Sequence, residues 1–278
     1  MTTSPIKAFV FDWAGTMVDF GCVAPVKALG EVFAAEGVEL SDLEARADMG
    51  MAKRDHIAAI LSREPMIARW TAARGARPAA GDIDRLFDAV GPRMEAAARD
   101  CAALIPGAAE LAALLRTRGV RVGSGTGYSR QMMAGILPLA AAQGYAPEVV
   151  VCAGETAEGR PSPLMTWKAL VELGAWPARA CVKVDDAAVG MAEGREAGVW
   201  TIGLAASGNG VGLDRAAFEA LDPAARRDAV SSSAAVLAEA GADYVVETVA
   251  DILPLLAELE MRIAAGERPG APAPRVRI

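Results

Sequence analysis

The sequence predicts an α/β protein: a doubly wound, Rossmann-like parallel-sheet core with an inserted α-helical cap domain. Three observations carry that prediction. Short continuous apolar runs recur and end at polar or Gly-rich turns. Helical patterns lie between them. One long interval, from about Gly21 to Ala102, has helical periodicity and no convincing strand. Continuous apolar runs mark strands buried on both faces, and their alternation with helices marks parallel pairing. Right-handed crossovers then place helices on both faces, and the ligand site lies beyond the carboxyl ends of the strands.

The first strand is "AFVFDWAG", whose apolar run stops at Asp12. The interval that follows reads as four helices: "APVKALGEVFAAEGV", "LSDLEARADMGM", "KRDHIAAILSREPMIARWTAA" and "AGDIDRLFDAVGPRMEAAARD". Helices inserted over strand ends form a natural cap, able to exclude water. The chain returns at "LIPGAAELAALLRTRG" and continues through the strands "GVRVGSGTG", "EVVVCAGE", "ACVKVDD", "GVWTIGL" and "ADYVVETV". The expected organisation is therefore a core of residues 1–20 and 103–264, a cap of 21–102 and a flexible tail of 265–278. The tail is rich in Pro, Gly and Ala and is expected to fray. Asp12, Thr126, Glu155 and Asp185–Asp186 all fall at strand ends, which predicts that they lie near one another.

The chain has 278 residues, just over half of them apolar, so it can bury a substantial core. Its apolar runs are strand-length, well short of a membrane span. The start, "MTTSPIKAFVFD", enters a strand almost at once and does not resemble a secretory signal. A net charge of −7 argues against nucleic acid as a partner. Cys22, Cys101, Cys152 and Cys181 are widely spaced and form no CxxC pair, as expected of reduced thiols in cytoplasm. Only five of the 28 basic residues are Lys (Lys7, Lys27, Lys53, Lys168, Lys183), and His56 is the single histidine.

A carboxylate after a buried strand, as at Asp12, serves as nucleophile, metal ligand or helix cap. "VKVDDAAVGMAEGREAG" puts Asp185 and Asp186 after a second buried strand, where they and Asp12 suit a hard cation such as Mg²⁺. One of the two, Asp185, is expected to cap the next helix. "GSGTGYSRQMM" opens a helix after a strand, so its small residues and Thr126 suit an anion. Arg160, in "GETAEGRPSP", suits phosphate through paired hydrogen bonds. In "DMGMAKRDH", Met49, Lys53 and His56 share one face if the stretch is helical. Unlike Arg, a neutral Lys amine forms an imine.

In order, the Asp12 loop, the Thr126 loop, Arg160 and the acidic pair resemble the four motifs of the haloacid dehalogenase superfamily, whose members mostly transfer phosphoryl groups through an aspartyl-phosphate. One departure stands out. Phosphatases of that superfamily resemble "DxD", and the second acid, which protonates an alcohol leaving group, is Ala14 here. Ala14 together with Lys53 instead resembles the phosphonatase branch, the phosphonoacetaldehyde hydrolases, through "FDWAGTMVDFGCVAP", "MGMAKRDHI", "GSGTGYSRQMM", "GRPSP" and "VKVDDAAVGMAEGREAG".

That resemblance implies cleavage of a carbon–phosphorus bond in 2-aminoethylphosphonate breakdown. Lys53 forms a Schiff base with the aldehyde and Asp12 is the nucleophile, with His56 and Met49 assisting. It implies one Mg²⁺ on Asp12, the Ala14 carbonyl and Asp186, and Asp185 is a further candidate because the usual fourth position is Gly190. It places Thr126, Arg160, Gly50, Cys22 and Tyr128 around the substrate. It also implies a cytoplasmic homodimer joined through the cap, where "IAAILSREPMIARW" offers either an interface or cap core. The alternatives are a phosphotransferase acting on phosphate esters and a non-catalytic ligand-binding homologue.

Overall fold

The computed structural model describes residues 4–270 and 275–278. Six strands fall where the apolar runs predict them: β1 (Ala8–Phe11), β2 (Arg121–Thr126), β3 (Val149–Cys152), β4 (Cys181–Asp185), β5 (Trp200–Leu204) and β6 (Tyr244–Val246). A seventh, β7 (Arg275–Arg277), closes one edge. All pairings are parallel, in the order β3-β2-β1-β4-β5-β6-β7. The order reverses at β1, so β1 and its neighbours β2 and β4 flank the switch point where α/β sheets bind ligands. Register brings the functional ends level: Phe11 pairs with Ser124 on one side and Val184 on the other.

Five helices, α1 (Val23–Ala35), α2 (Asp42–Arg46), α3 (Lys53–Ser62), α4 (Glu64–Arg74) and α5 (Ala80–Asp100), intervene before the chain returns to the sheet. The sheet is then covered by α6 (Ala108–Thr117), α7 (Arg130–Ala142), α8 (Leu164–Leu173), α9 (Ala188–Ala197), α10 (Arg215–Glu219), α11 (Pro223–Glu239) and α12 (Ile252–Ala264). Strand alternation decides which helix packs where. Phe9 and Phe11 pack with Leu111 of α6, Ile136 of α7 and Leu255 of α12. Ala8 and Val10 point the other way, onto Met165 and Leu170 of α8. No helix among the described residues is long and apolar enough to cross a membrane.

The structure corrects three sequence expectations. The stretch "KRDHIAAILSREPMIARWTAA" is two helices, not one. Arg63 is extended (φ −79°, ψ 133°) and α4 restarts with Pro65 in its first turn. A proline there has no N–H to give a continuing helix and would clash with the preceding turn, whereas a first turn tolerates it. The helix expected over "LSDLEARADMGM" stops at Arg46, and a turn follows that includes Gly50 at φ 94°. Met49 therefore precedes the helix that Lys53 begins, and the two do not share a helical face. Finally, Arg275–Arg277 of the tail form an edge strand paired with β6. Arg275 N–H bonds Asp243 O at 3.0 Å, and the side chains of Arg275 and Arg277, on one face of β7, both reach Glu258 of α12. The rest of that expectation falls partly on residues 271–274, outside the described residues.

The apolar residues around "IAAILSREPMIARW" are buried within the chain. Ile57, Ile60, Leu61, Met66 and Trp70 join the core cluster, with Trp70 edge-on to Phe33 at 6.3 Å. This stripe holds α1, α3, α4 and α5 together, so it does not offer itself as an interface. Truncating Trp70→Ala should cost about 3–5 kcal/mol, the usual penalty for an unfilled large cavity. Urea unfolding followed by circular dichroism measures it, and a change below 1 kcal/mol would contradict this packing.

Candidate active site

Beyond the carboxyl ends of β1, β2 and β4 lies a cavity of about 20 Å³. That is room for roughly one water molecule. Nine residues predicted from the sequence line it: Asp12, Ala14, Cys22, Met49, Gly50, Lys53, Thr126, Tyr128 and Asp186. Core and inserted helices thus meet across a nearly closed space. Arg160, Asp185 and His56 are not in its wall, and Glu155 lies elsewhere, paired with Arg130 at 2.8 Å.

Asp12 follows directly on β1, and its N–H donates to Val184 O at 2.9 Å. Arg160 lies beneath it. Its Nη1 donates to Asp12 Oδ1 at 2.8 Å and its Nη2 to Gly125 O at 2.8 Å. This fixes one carboxylate oxygen and leaves Oδ2 for chemistry. Behind Arg160 is a fully buried network that sequence reading did not assign. Arg160 Nε is 2.9 Å from Glu193 Oε2, and Lys183 Nζ is 3.2 Å from Glu193 Oε2 and 3.1 Å from Asp185 Oδ2. Thr166 Oγ1 donates to Glu193 Oε1 at 2.7 Å. The signal available for Lys183 was its rarity: one of five lysines, set inside a buried strand.

Asp185 and Asp186 take different roles. Asp185 Oδ1 accepts the Ala187 N–H at 3.1 Å, in the turn ahead of α9, but it does not cap that helix: Ala187 is the N-cap, and no side chain bonds the first-turn N–H groups. The other oxygen of Asp185 faces Lys183 and Arg160. Asp186 accepts from Asn209 N–H at 2.7 Å, Cys22 Sγ at 3.3 Å and Thr16 Oγ1 at 3.4 Å, all uncharged donors. Burial, and then the charges of Asp12 and Asp185, push Asp186 well above the usual carboxylate range. The same burial, with Asp185 nearby, lifts Asp12 to about 6 although Arg160 and Lys183 oppose it.

Oxygens of Asp12, Asp185 and Asp186 lie within 4.8 Å of one another. An all-oxygen set of three crowded, buried carboxylates fits a hard divalent cation such as Mg²⁺. Gly190 belongs to this fit. A Cβ there would lie 2.0 Å from Asp185 Cγ, so the carboxylate occupies the space that a side chain at 190 would fill.

Lys53, the first residue of α3, is buried with its Nζ 4.0 Å from Met49 Sδ and 5.8 Å from the Tyr128 ring centre. Met49 thus touches Lys53 without sharing its helix. Burial lowers the Lys53 pKa to about 8, although Cys22 and Asp12 pull the other way. The neutral amine is therefore accessible near neutrality. Thr126 ends β2, and its Oγ1 accepts the Tyr128 N–H at 3.1 Å. His56 is fully buried with neither ring nitrogen hydrogen-bonded, and burial followed by the charge of Lys53 lowers it to about 3. Its ring lies outside the cavity wall.

Comparison with known proteins gives concordant results. The family model for haloacid dehalogenase-like hydrolases matches residues 6–198. A phosphonoacetaldehyde hydrolase of Paraburkholderia xenovorans is 46% identical over 267 residues, 95% of this chain and 99% of that one. One from Vibrio cholerae is 43% identical over 272 residues, 97% of this chain and 100% of that one. The crystal structure of a phosphonoacetaldehyde hydrolase-like protein from Oleispira antarctica superposes with a TM-score of 0.94 at 38% identity, covering 97% and 98% of the two chains.

Gly190→Ala should displace the Asp185 carboxylate and cost about 1–3 kcal/mol, as overpacking does. It should also shrink the rise in Tm that Mg²⁺ produces. Thermal unfolding with and without Mg²⁺ measures both, and an unchanged Mg²⁺-dependent rise would separate Asp185 from the cation site.

Proposed function

The chain belongs to the haloacid dehalogenase-like hydrolases and, within them, to the phosphonoacetaldehyde hydrolases, and from that premise we propose how its residues perform the reaction. It is a hydrolase of the carbon–phosphorus bond, converting phosphonoacetaldehyde to acetaldehyde and phosphate. One observation carries the mechanistic reading: a buried lysine of lowered pKa and a strand-end aspartate line the same cavity.

Direct cleavage of the C–P bond would expel a carbanion. Lys53 removes that difficulty. Its neutral amine adds to the aldehyde, and the adduct takes up one proton and loses water, giving a protonated imine. Asp12 Oδ2 then attacks phosphorus, and the C–P electron pair moves into the imine system as a neutral enamine. Water hydrolyses the aspartyl-phosphate to phosphate and Asp12. The enamine takes a proton on carbon, and hydrolysis of the resulting imine releases acetaldehyde and frees Lys53.

Arg160 holds Asp12 in line and adds positive charge beneath the transferring group. Asp12, Asp186 and the Ala14 carbonyl are the ligands we assign to Mg²⁺, with Asp185 fixed behind them by Lys183. A cation held by these residues would neutralise carboxylate and phosphonyl charge. Thr126 and Tyr128 form the opposite wall, with Cys22, Met49 and Gly50 shielding the imine from water. Among the described residues the carboxylates in the cavity wall are Asp12 and Asp186, and with these assigned to the nucleophile and the cation, none is left to protonate the leaving oxygen of a phosphate ester. The cavity is too small for substrate, which supports reading residues 21–102 as a cap that opens to admit it. A place in 2-aminoethylphosphonate breakdown, a cytoplasmic location and a homodimer complete the proposal. The dimer must use a surface other than the buried stripe of α3 and α4.

Borohydride added with phosphonoacetaldehyde should trap the chain covalently, and Lys53→Arg should abolish trapping, because a guanidinium forms no imine. Mass spectrometry locates the adduct, and trapping that survives the substitution rules Lys53 out. The initial trapping rate should rise about tenfold per pH unit below about 8 and level off above it, since only the deprotonated amine reacts. A rate that keeps rising to pH 10 would mean that Lys53 titrates like a solvated lysine.

A further inference from the structure

We propose that Arg46 and Asn209 are a positioning pair that registers the Lys53-bearing segment against the Asp12–Asp186 site. The proposal deepens the imine mechanism and rests on it. Arg46 ends α2, within the inserted helices. Its Nη1 donates to Gly21 O at 2.8 Å and to Asn209 Oδ1 at 3.2 Å, and its Nη2 donates to Gly212 O at 2.8 Å. Asn209 answers with Nδ2, which donates to Arg46 O at 3.0 Å. One guanidinium therefore ties together the loop leaving β1, the inserted helices and the loop after β5. Space is reserved for it: Gly212 adopts φ +70°, and a Cβ there would lie 2.7 Å from Arg46 Nε.

Both ends of this pair lead into the site. Asn209 donates its backbone N–H to Asp186 Oδ2 at 2.7 Å. The segment after Arg46 carries Met49, Gly50 and Lys53, which line the cavity. The reaction divides along the same boundary. Imine formation needs Lys53 and the aldehyde alone. Carbon–phosphorus cleavage needs the Lys53-bound substrate placed in line with Asp12. Loss of register therefore slows the second step and spares the first. A misplacement of about 1 Å costs on the order of 10²-fold in such a step.

Asn209→Ala removes both side-chain bonds and keeps the N–H to Asp186, and Arg46→Gln removes the guanidinium fork. In each variant, borohydride trapping of Lys53 at saturating phosphonoacetaldehyde should stay within about twofold of the parent, while phosphate release falls about 10–100-fold. The double variant should be no worse than the weaker single one, because the residues act as a unit. Trapping and phosphate release that fall together, or neither changing, would overturn the proposal. If the parent chain itself is not trapped, the imine mechanism fails instead. The pair is then judged by hydrogen exchange: faster exchange over residues 46–53 in Asn209→Ala supports it, and unchanged exchange overturns it.

Discussion

Four acids and two bases are buried together at the carboxyl ends of β1 and β4, and the rest of the site follows from the need to balance them. Arg160 and Lys183 pair with Asp12, Asp185 and Glu193, whereas Asp186 has only uncharged donors. Removing one partner from a buried ion pair typically costs about 3–5 kcal/mol, because a desolvated charge is left behind. Each base here serves several acids, so the cost is shared across the network. The four acids outnumber these two bases by two, and burial, with the neighbouring acids adding to it, pushes the carboxyls of Asp12 and Asp186 up. A divalent cation held there would displace the protons that otherwise relieve this excess.

The fold creates that constraint by simple means. Parallel strands end at one edge, and register sets Asp12 level with Asp185. Two adjacent acids after β4 point in different directions, one toward the lysine and arginine behind the sheet and one toward the cavity. Glu193 lies on the buried side of α9, where Thr166 of α8 fixes its second oxygen. A helix on one face of the sheet therefore controls an arginine acting at its edge. The inserted helices close the other side and remove water, which strengthens each of these interactions.

Much of this was legible in the sequence, and the limits have physical reasons. Six strands were visible because parallel strands buried on both faces read as continuous apolar runs. The seventh was not: "RVR" is an exposed edge held by arginines reaching Glu258, and no periodicity marks such a partner. Asp12, Lys53 and Thr126 stood out because a polar group at a strand end, or a lone lysine among arginines, breaks a local pattern. Glu193 and Asn209 break none. One looks like an ordinary helix glutamate and the other like loop polarity, and their roles depend on contacts across 23 or more residues of sequence separation. Helix boundaries around Met49 and Arg63 failed at local features, a turn with a left-handed glycine and a proline, that a periodicity count passes over.

The methyl group of Ala14 takes its meaning from the lysine opposite. An acid at that position would serve an alkoxide leaving group, which needs a proton as it departs. An enamine departs neutral and needs none. A further carboxylate would also add negative charge to a cluster already in excess. It would favour the protonated form of Lys53 as well, just as Asp12 already raises its pKa. The amine must be neutral to react, so the absence of an acid at position 14 and the burial of Lys53 act in the same direction. In the proposed mechanism, one small residue thereby keeps the Asp12 side of the cavity open to substrate and the Lys53 side poised for imine formation.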